Sequence, residues 1–356
     1  MIRRVAPVGD RNRPDPSHLP TRALCAALNT PPIEPESDAA SAGPTPACAE
    51  IVDFSKQERA LLARSQRQRA LRRRVRTLVD LLDDPSPTVW NQVRRELERL
   101  ARPAAASLRH ACDDPSPLVR SRARALIVAR GRRGVLRRLI AFAGRREISL
   151  ESGLFLLARL ERPELDVRPY LMQFDALAAE VLRRVESRPP TLDRSLALVT
   201  YLSQEIGLQG DSDDYHHPDN IYVHRALERK RGMPLTLAAI YQSVGRRAGI
   251  QSALVPLPGH VMLRIRGGGK SALVDVFQGG EQRTERDLLQ YLAELKLPFQ
   301  PSWFRDADDA SMFQRQVSNL KNSYAQRGMR REARGLGAVI TVLERRASLL
   351  ASGARV

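Results

Sequence analysis

Lysine, cysteine and the aromatic residues are all scarce in this chain. Only Lys56, Lys230, Lys270, Lys296 and Lys321 stand among 58 basic residues, so nearly all the cationic charge is arginine. Three cysteines, Cys25, Cys48 and Cys112, are too few and odd in number for a disulfide framework, and they point to a reducing compartment. Phe, Trp and Tyr make up 5% of the residues, which leaves little for base-stacking recognition. No apolar run approaches the roughly 20 residues that span a bilayer. No continuous apolar stretch follows the opening Met-Ile-Arg-Arg, so a signal peptide is not expected either. The expected location is cytoplasmic, with no membrane partner.

What the chain does have is length, apolar content and positive charge. Its 356 residues suggest two to three domains, and 42% hydrophobic residues can build a sizeable core. The net charge of +18 invites an acidic partner such as nucleic acid. The arginines are scattered, however, and scatter favours solvated helix faces over one binding patch. Arg67–Arg76 and Arg130–Arg138 are the densest runs, and a nucleic-acid interface would use them.

Residues 1–56 are rich in Pro, Ala, Ser and Asp without a period of 3.6 or 2, and are expected to be disordered. Cys25 and Cys48 fall there and read as stray exposed thiols. Residues 57–147 are helical in pattern and contain a repeat: Leu-Asp-Asp-Pro-Ser-Pro from Leu82 and Cys-Asp-Asp-Pro-Ser-Pro from Cys112. In each copy Asp and Pro end one helix, Ser caps the next, and the second Pro occupies the first helical position. Helix pairs of this kind bury their apolar faces on neighbours, and the stretch looks like a degenerate HEAT-type array. Cys112 takes the place of Leu82 and reads as a small core residue.

Further along, helices are expected over 150–160, 168–186, 191–206, 234–248 and 284–295, with Gly249 stopping the fourth. Asp219 or Asn220 is placed to cap a helix from Ile221. Strand-like runs occupy Ser252–Leu257, His260–Ile265 and Ala272–Phe277, and Arg-Gly-Gly-Gly-Lys forms the last hairpin turn. Residues 308–327 and 331–350 read as a helix pair, and Asn319-Leu-Lys-Asn-Ser-Tyr resembles part of a tetratricopeptide-like unit. The acidic loop around Asp211, Asp213, Asp214, His216 and His217 lacks metal-ligand spacing, so no metal and no cofactor is expected.

One constellation carries chemistry. Pairing Ile265 with Lys270 would set His260 opposite Asp275, and a register shifted by two would make them diagonal neighbours on the same face. A carboxylate that orients an imidazole is the fixed half of a catalytic triad, and equally a common structural pair.

Around these residues the chain resembles the SirB-type invasion-regulator family, whose core is a transglutaminase-like domain of the papain-like cysteine superfamily. The matching residues are Tyr215, Pro218-Asp219-Asn220, Leu227-Glu228-Arg229, Arg231-Gly-Met-Pro-Leu-Thr-Leu237, Gly249-Ile250, Pro258-Gly-His260 and Asp275-Val-Phe-Gln-Gly-Gly280. Val276 and Gln278 depart from the Pro and His that members tend to carry. The resemblance covers about 148–350 and implies an α+β, mostly helical protein. Its divisions would be a tail at 1–56, HEAT-like repeats at 57–147, a transglutaminase-like domain at 148–300 and a tetratricopeptide-like helix pair at 301–356. The same domain type occurs in an F-box protein.

The superfamily triad carries over as His260 and Asp275, and its nucleophilic cysteine belongs at the start of the helix that Gly249 ends. Pro234 stands there. Thr236, two residues on, has a hydroxyl that a helix dipole alone does not activate. No cysteine follows Cys112. The reading is a non-enzymatic binding or regulatory module with a protein or peptide partner, its cleft drawn from Tyr215, Asn220, Pro234, Thr236, His260 and Asp275. The alternatives are a non-thiol hydrolase or amide transferase using His260 and Asp275, and a nucleic-acid binder using the arginine-rich helices.

Overall fold

Proline, serine and aspartate punctuate the first half of the chain, and the helices break where they stand. A computed structural model describes residues 46–352 apart from 101, with side chains from Lys56 onward. The tail expected to be disordered lies mostly outside these residues, as do Cys25 and the side chain of Cys48. The chain divides into two units, 1–65 and 66–356. The described part of the first unit is helical and leaves Leu61 and Leu62 exposed.

Helix α1 (Pro46–Asp80) begins ahead of the helical start expected near 57. In the second unit it is followed by α2 (Pro87–Leu100), α3 (Ala105–His110) and α4 (Pro117–Ala143). The two repeat copies form the same junction. Asp84 and Asp114 each accept the N–H of the serine two residues on at 2.8 Å. Ser86 and Ser116 then accept from Val89 and Val119, and Pro87 and Pro117 open the next helices. Leu82, Val93, Leu97, Leu108, Val119 and Leu126 share one small core, against which Cys112 packs half-buried.

α4 belongs to two cores. Its first half closes the repeat core, while Val135, Leu139 and Phe142 enter the main core. That main core continues through α5 (Leu150–Glu161), α6 (Arg168–Val185), α7 (Leu192–Thr200), α8 (Val223–Arg229) and α9 (Pro234–Arg247). It also takes in α11 (Asp309–Gln326) and α12 (Arg330–Ala351), through Phe313, Val317, Leu320 and Leu336. One core therefore crosses both divisions drawn at 147/148 and 300/301. The helix expected over 191–206 is α7 followed by a π-turn at Tyr201–Glu205.

Two strands, β1 (Gln209–Gly210) and β2 (Arg231–Gly232), pair in parallel. Four more form an antiparallel sheet in chain order: β3 (Ser252–Leu257), β4 (His260–Gly267), β5 (Lys270–Asp275) and β6 (Glu281–Arg283). Gly267 pairs with Lys270, so the hairpin turn is Gly268-Gly269 alone, both at positive φ, as a tight two-residue turn requires. The four-residue turn of the sequence reading is thereby corrected to its alternative, shifted by two. Alternation sets Leu254, Leu263, Ile265 and Val274 towards the helices, while Val255, Leu257 and Met262 meet α10 (Glu285–Glu294) through Leu288. The fold is α+β and mostly helical. Among the described residues no helix is long and apolar enough to cross a membrane.

Candidate functional site

A turn of four residues, Leu257–His260, presents the histidine, and side chains from three other segments hold its carbonyls. Tyr291 on α10 donates its hydroxyl to Pro258 O at 2.8 Å, and Tyr215 donates to Gly259 O at 3.4 Å. Arg315 on α11 donates through Nη2 to Leu257 O and His260 O, both at 2.8 Å. His260 thus opens β4 at a corner whose backbone is clamped from outside the sheet.

Asp275, at the end of β5, reaches the imidazole: Oδ2 lies 2.9 Å from His260 Nε2. The approach is bent, and Nε2 is buried without a straight hydrogen bond, so the contact is a close electrostatic pairing. Oδ1 of the same carboxylate accepts the N–H groups of Phe277 at 3.1 Å and Gln278 at 3.2 Å. Burial alone would raise the Asp275 carboxyl. The neighbouring imidazole and the two N–H donors outweigh it and hold the group below the usual carboxylate range. The rings of Phe277 and Tyr291 flank the imidazole, with centroids at 6.0 and 6.2 Å. Gly210 explains how Phe277 fits: a Cβ there would lie 2.6 Å from the phenyl ring, and Gly210 N–H donates to Phe277 O at 3.0 Å.

Nε2 is the nitrogen paired with the carboxylate, and His260 lines two hollows. One, of about 400 Å³, also holds Asp275, Phe277, Asp287, Tyr291 and Glu294. The other, of about 350 Å³, runs from Tyr215 past Met233, Pro234 and Leu235 to Arg315 and Asn319. Pro234 is the first residue of α9 and faces this second hollow together with His260. The start of α9 and His260 thus line one hollow, while Asp275 reaches the imidazole from the other.

Two residues assigned to the cleft from sequence lie elsewhere. Thr236 is fully buried; its hydroxyl donates to Ile221 O at 3.4 Å and accepts from Gln316 Nε2 at 2.8 Å. Asn220 is also fully buried: its amide donates to Asp214 O at 2.8 Å, and its Oδ1 accepts from Arg229 at 2.8 Å. Both are internal struts. Neither Asp219 nor Asn220 caps α8, whose N-cap position is Tyr222 with no side-chain cap. Tyr215, Pro234, His260 and Asp275 do line the hollows.

The acidic loop before α8 is spent on arginines. Asp211 pairs with Arg229 at 2.7 Å, Asp214 with Arg327 at 2.8 Å, and Asp219 with Arg225 at 3.1 Å. Among the described residues no three His, Cys, Asp or Glu side chains form a metal-holding group. The second arginine run is partly structural: Arg132 donates to Leu160 O, and Arg133 pairs with Glu98. Arg67, Arg69, Arg72, Arg73 and Arg76 on α1 are exposed.

Sequence reasoning missed Arg315 and Gln316. Gln316 is fully buried and ties α11 to the start of α9 by donating to Ile221 O at 2.7 Å and to Thr236. The spacing of Arg315, Asn319, Asn322 and Gln326 along one helix face was the signal that could have marked a polar wall.

Residues 168–318 match the family model described as the transglutaminase-like superfamily, a segment that runs from the start of α6 into α11. Among curated proteins, a UPF0162 protein of Xylella fastidiosa is 32% identical over 145 residues, covering 40% of this chain and 50% of that protein. A UPF0162 protein of Pseudomonas aeruginosa is 26% identical over 160 residues, covering 44% and 58%. F-box only protein 21 of Mus musculus is 26% identical over 129 residues, covering 32% and 21%. The chain spans about half the length of the Xylella relative it matches. No solved structure matches the chain.

Proposed function

We propose that the transglutaminase-like domain at 168–318 is a binding module, in which a triad-like frame holds a ligand instead of cleaving or transferring one. The observation that carries this reading is Pro234 at the first position of α9, in the same cleft as His260. A proline has no nucleophile, and no cysteine follows Cys112 in the sequence. What remains around the cleft is suited to recognition: a clamped turn, an oriented imidazole, and aromatic and amide side chains. The partner expected for such a cleft is a peptide or protein segment.

The test is turnover against a broad panel of amide and γ-glutamyl substrates, with and without a primary amine acceptor. The expected result is no release of ammonia and no amine incorporation above the buffer rate. Turnover that vanishes in His260→Ala would overturn the reading.

One observation favours a second reading. Asp275 pairs with Nε2 of His260, whose ring lines the hollow, a pairing that can orient an imidazole as a general base for water. In that case turnover would survive alkylation of every thiol, a result the binding module excludes.

A further inference from the structure

We propose that the cleft beside His260 contains a carboxylate-binding subsite built on Arg315, and that its ligand is a peptide bearing that carboxylate. This rests on the binding reading above and names the chemistry the cleft selects.

Arg315 is a cation without a carboxylate partner among the described residues. Arg315 has five N–H donors, and Nη2 is committed to the carbonyls of Leu257 and His260. No carboxylate among the described residues pairs with this guanidinium, in a chain where Arg229, Arg246, Arg247 and Arg264 all have one. Its side chain is half-buried, and burial lowers its affinity for its own proton. A partly desolvated cation without an internal counter-charge gains most from an anion brought in by a ligand.

The cleft agrees with that sign. None of the residues lining it is acidic, whereas the hollow on the other side of His260 contains Asp275, Asp287 and Glu294. The first turn of α9, at Leu235, adds the positive end of a 14-residue helix to the same wall. The two bonds from Nη2 to carbonyls hold the guanidinium in place and leave Nε–H and the Nη1 hydrogens to meet a carboxylate by charge-assisted bonds.

The neighbouring groups define what is attached to the carboxylate. Asn319, Asn322 and Gln326 follow Arg315 at spacings that put them on one face of α11, and all three line the cleft. Primary amides donate and accept together, which is the hydrogen-bonding pattern of a peptide bond. The wall therefore reads as one charged group followed by amide partners.

Two sources supply such a carboxylate, a chain terminus and an acidic side chain, and three probes separate them. Acetyl-glycyl-glycine carries only the terminal carboxylate, its C-terminal amide carries none, and acetyl-glutamic acid α-amide carries only the side-chain group. Backbone amide shifts of the full chain would be followed during titration with each. The expected result is perturbation around Leu235, Val261 and Asn319, with one acid bound at least about tenfold more tightly than the amide. That preference should shrink as salt is added, and should vanish in Arg315→Gln. Asn322→Ala, which touches no clamp on the turn, should weaken acid and amide alike. Equal binding of acids and amide, or a preference that persists in a folded Arg315→Gln, overturns the subsite and leaves the cleft a binding site. Absence of any perturbation by all three probes overturns the subsite and the binding reading together. Should Arg315→Gln not fold, a preference in the native chain that ignores salt is the overturning result.

Discussion

Asp275 Oδ2 lies 2.9 Å from His260 Nε2, although the two residues are not paired across the hairpin. Continuing the ladder from Leu263↔Val274 sets Asp275 beside Met262, so the histidine is reached on the diagonal. Oδ1 meanwhile receives two backbone N–H groups. One carboxylate thus closes the turn after β5 and orients the imidazole. A carboxylate only accepts, so the pairing favours the tautomer with its proton on Nε2.

These two tasks separate by substitution. Asp275→Asn keeps an acceptor for Phe277 and Gln278, while Asp275→Ala removes it. In urea denaturation, Asp275→Ala should cost about 1–3 kcal/mol and Asp275→Asn clearly less. In nitrogen NMR of the imidazole, Asp275→Asn should shift the proton of His260 towards Nδ1, because the asparagine amide can donate to Nε2. An unchanged tautomer in Asp275→Asn would show that the carboxylate does not set it.

Pro234 offers a more direct test of the proposed triad-like frame. Its lack of an N–H costs nothing at the first helical position, and a cysteine there would leave only an N–H that helix starts leave free anyway. The thiol of Pro234→Cys would face His260 across the cleft, at the positive end of α9. Such surroundings lower a thiol pKa, so at about pH 6.5 its alkylation should run roughly tenfold faster than that of an unperturbed thiol. Mass spectrometry of the peptide containing residue 234 separates it from the three native cysteines. Adding His260→Ala should remove most of the acceleration. Equal rates with and without the histidine would mean that the two positions do not communicate.

How much of this was legible in the sequence depends on which signals survive burial. β3 is observed over the same residues as expected, Ser252–Leu257, because its largely apolar run lies between Gly249 and Pro258-Gly259. β6 was not expected: Glu281-Gln-Arg283 has no apolar alternation and is held only as an edge by β5. Pro234 was legible because a motif position marks it. Asn220 was misplaced because its amide turns inward to Asp214 O and Arg229, and Thr236 because its whole helix is buried. Pro234 to Gly245 are buried on every side, so periodicity along α9 names no cleft face. Arg315 looked like one more arginine of a basic chain, and only the fold shows that it meets carbonyls and no carboxylate.

The strut beneath the cleft is testable as a network. Gln316 donates to Ile221 O and to Thr236 Oγ1, both buried. Gln316→Leu leaves that hydroxyl without its donor and Ile221 O with only the 3.4 Å bond from Thr236, at a cost of about 1–3 kcal/mol. Thr236→Val removes the hydroxyl that accepts from Gln316 and donates to Ile221 O, so the two substitutions act on the same shared groups and should not add. A double-mutant cycle therefore should show coupling of about 0.5 kcal/mol or more, and additive losses would mean that the bond contributes nothing of its own.

His224 supplies the pH dependence. It is fully buried between Tyr170 and Tyr222, with Nε2 3.1 Å from Glu161 and Nδ1 without a partner. Burial pushes its pKa down, and the hydrogen bond to Glu161 only partly offsets that. The folded protein thus binds this proton less readily than the unfolded chain, whose histidine titrates near about 6.5. The contribution of His224 to stability is flat with pH above that value and falls as pH drops from about 6.5 towards the depressed folded value, where the unfolded chain gains the proton first. His224→Gln can keep a hydrogen bond to Glu161 but has nothing to titrate. Thermal melts at pH 7.5 and pH 5.5 should therefore show a smaller acid-side loss in His224→Gln than in the native chain. An equal loss in both would assign the acid sensitivity to other groups.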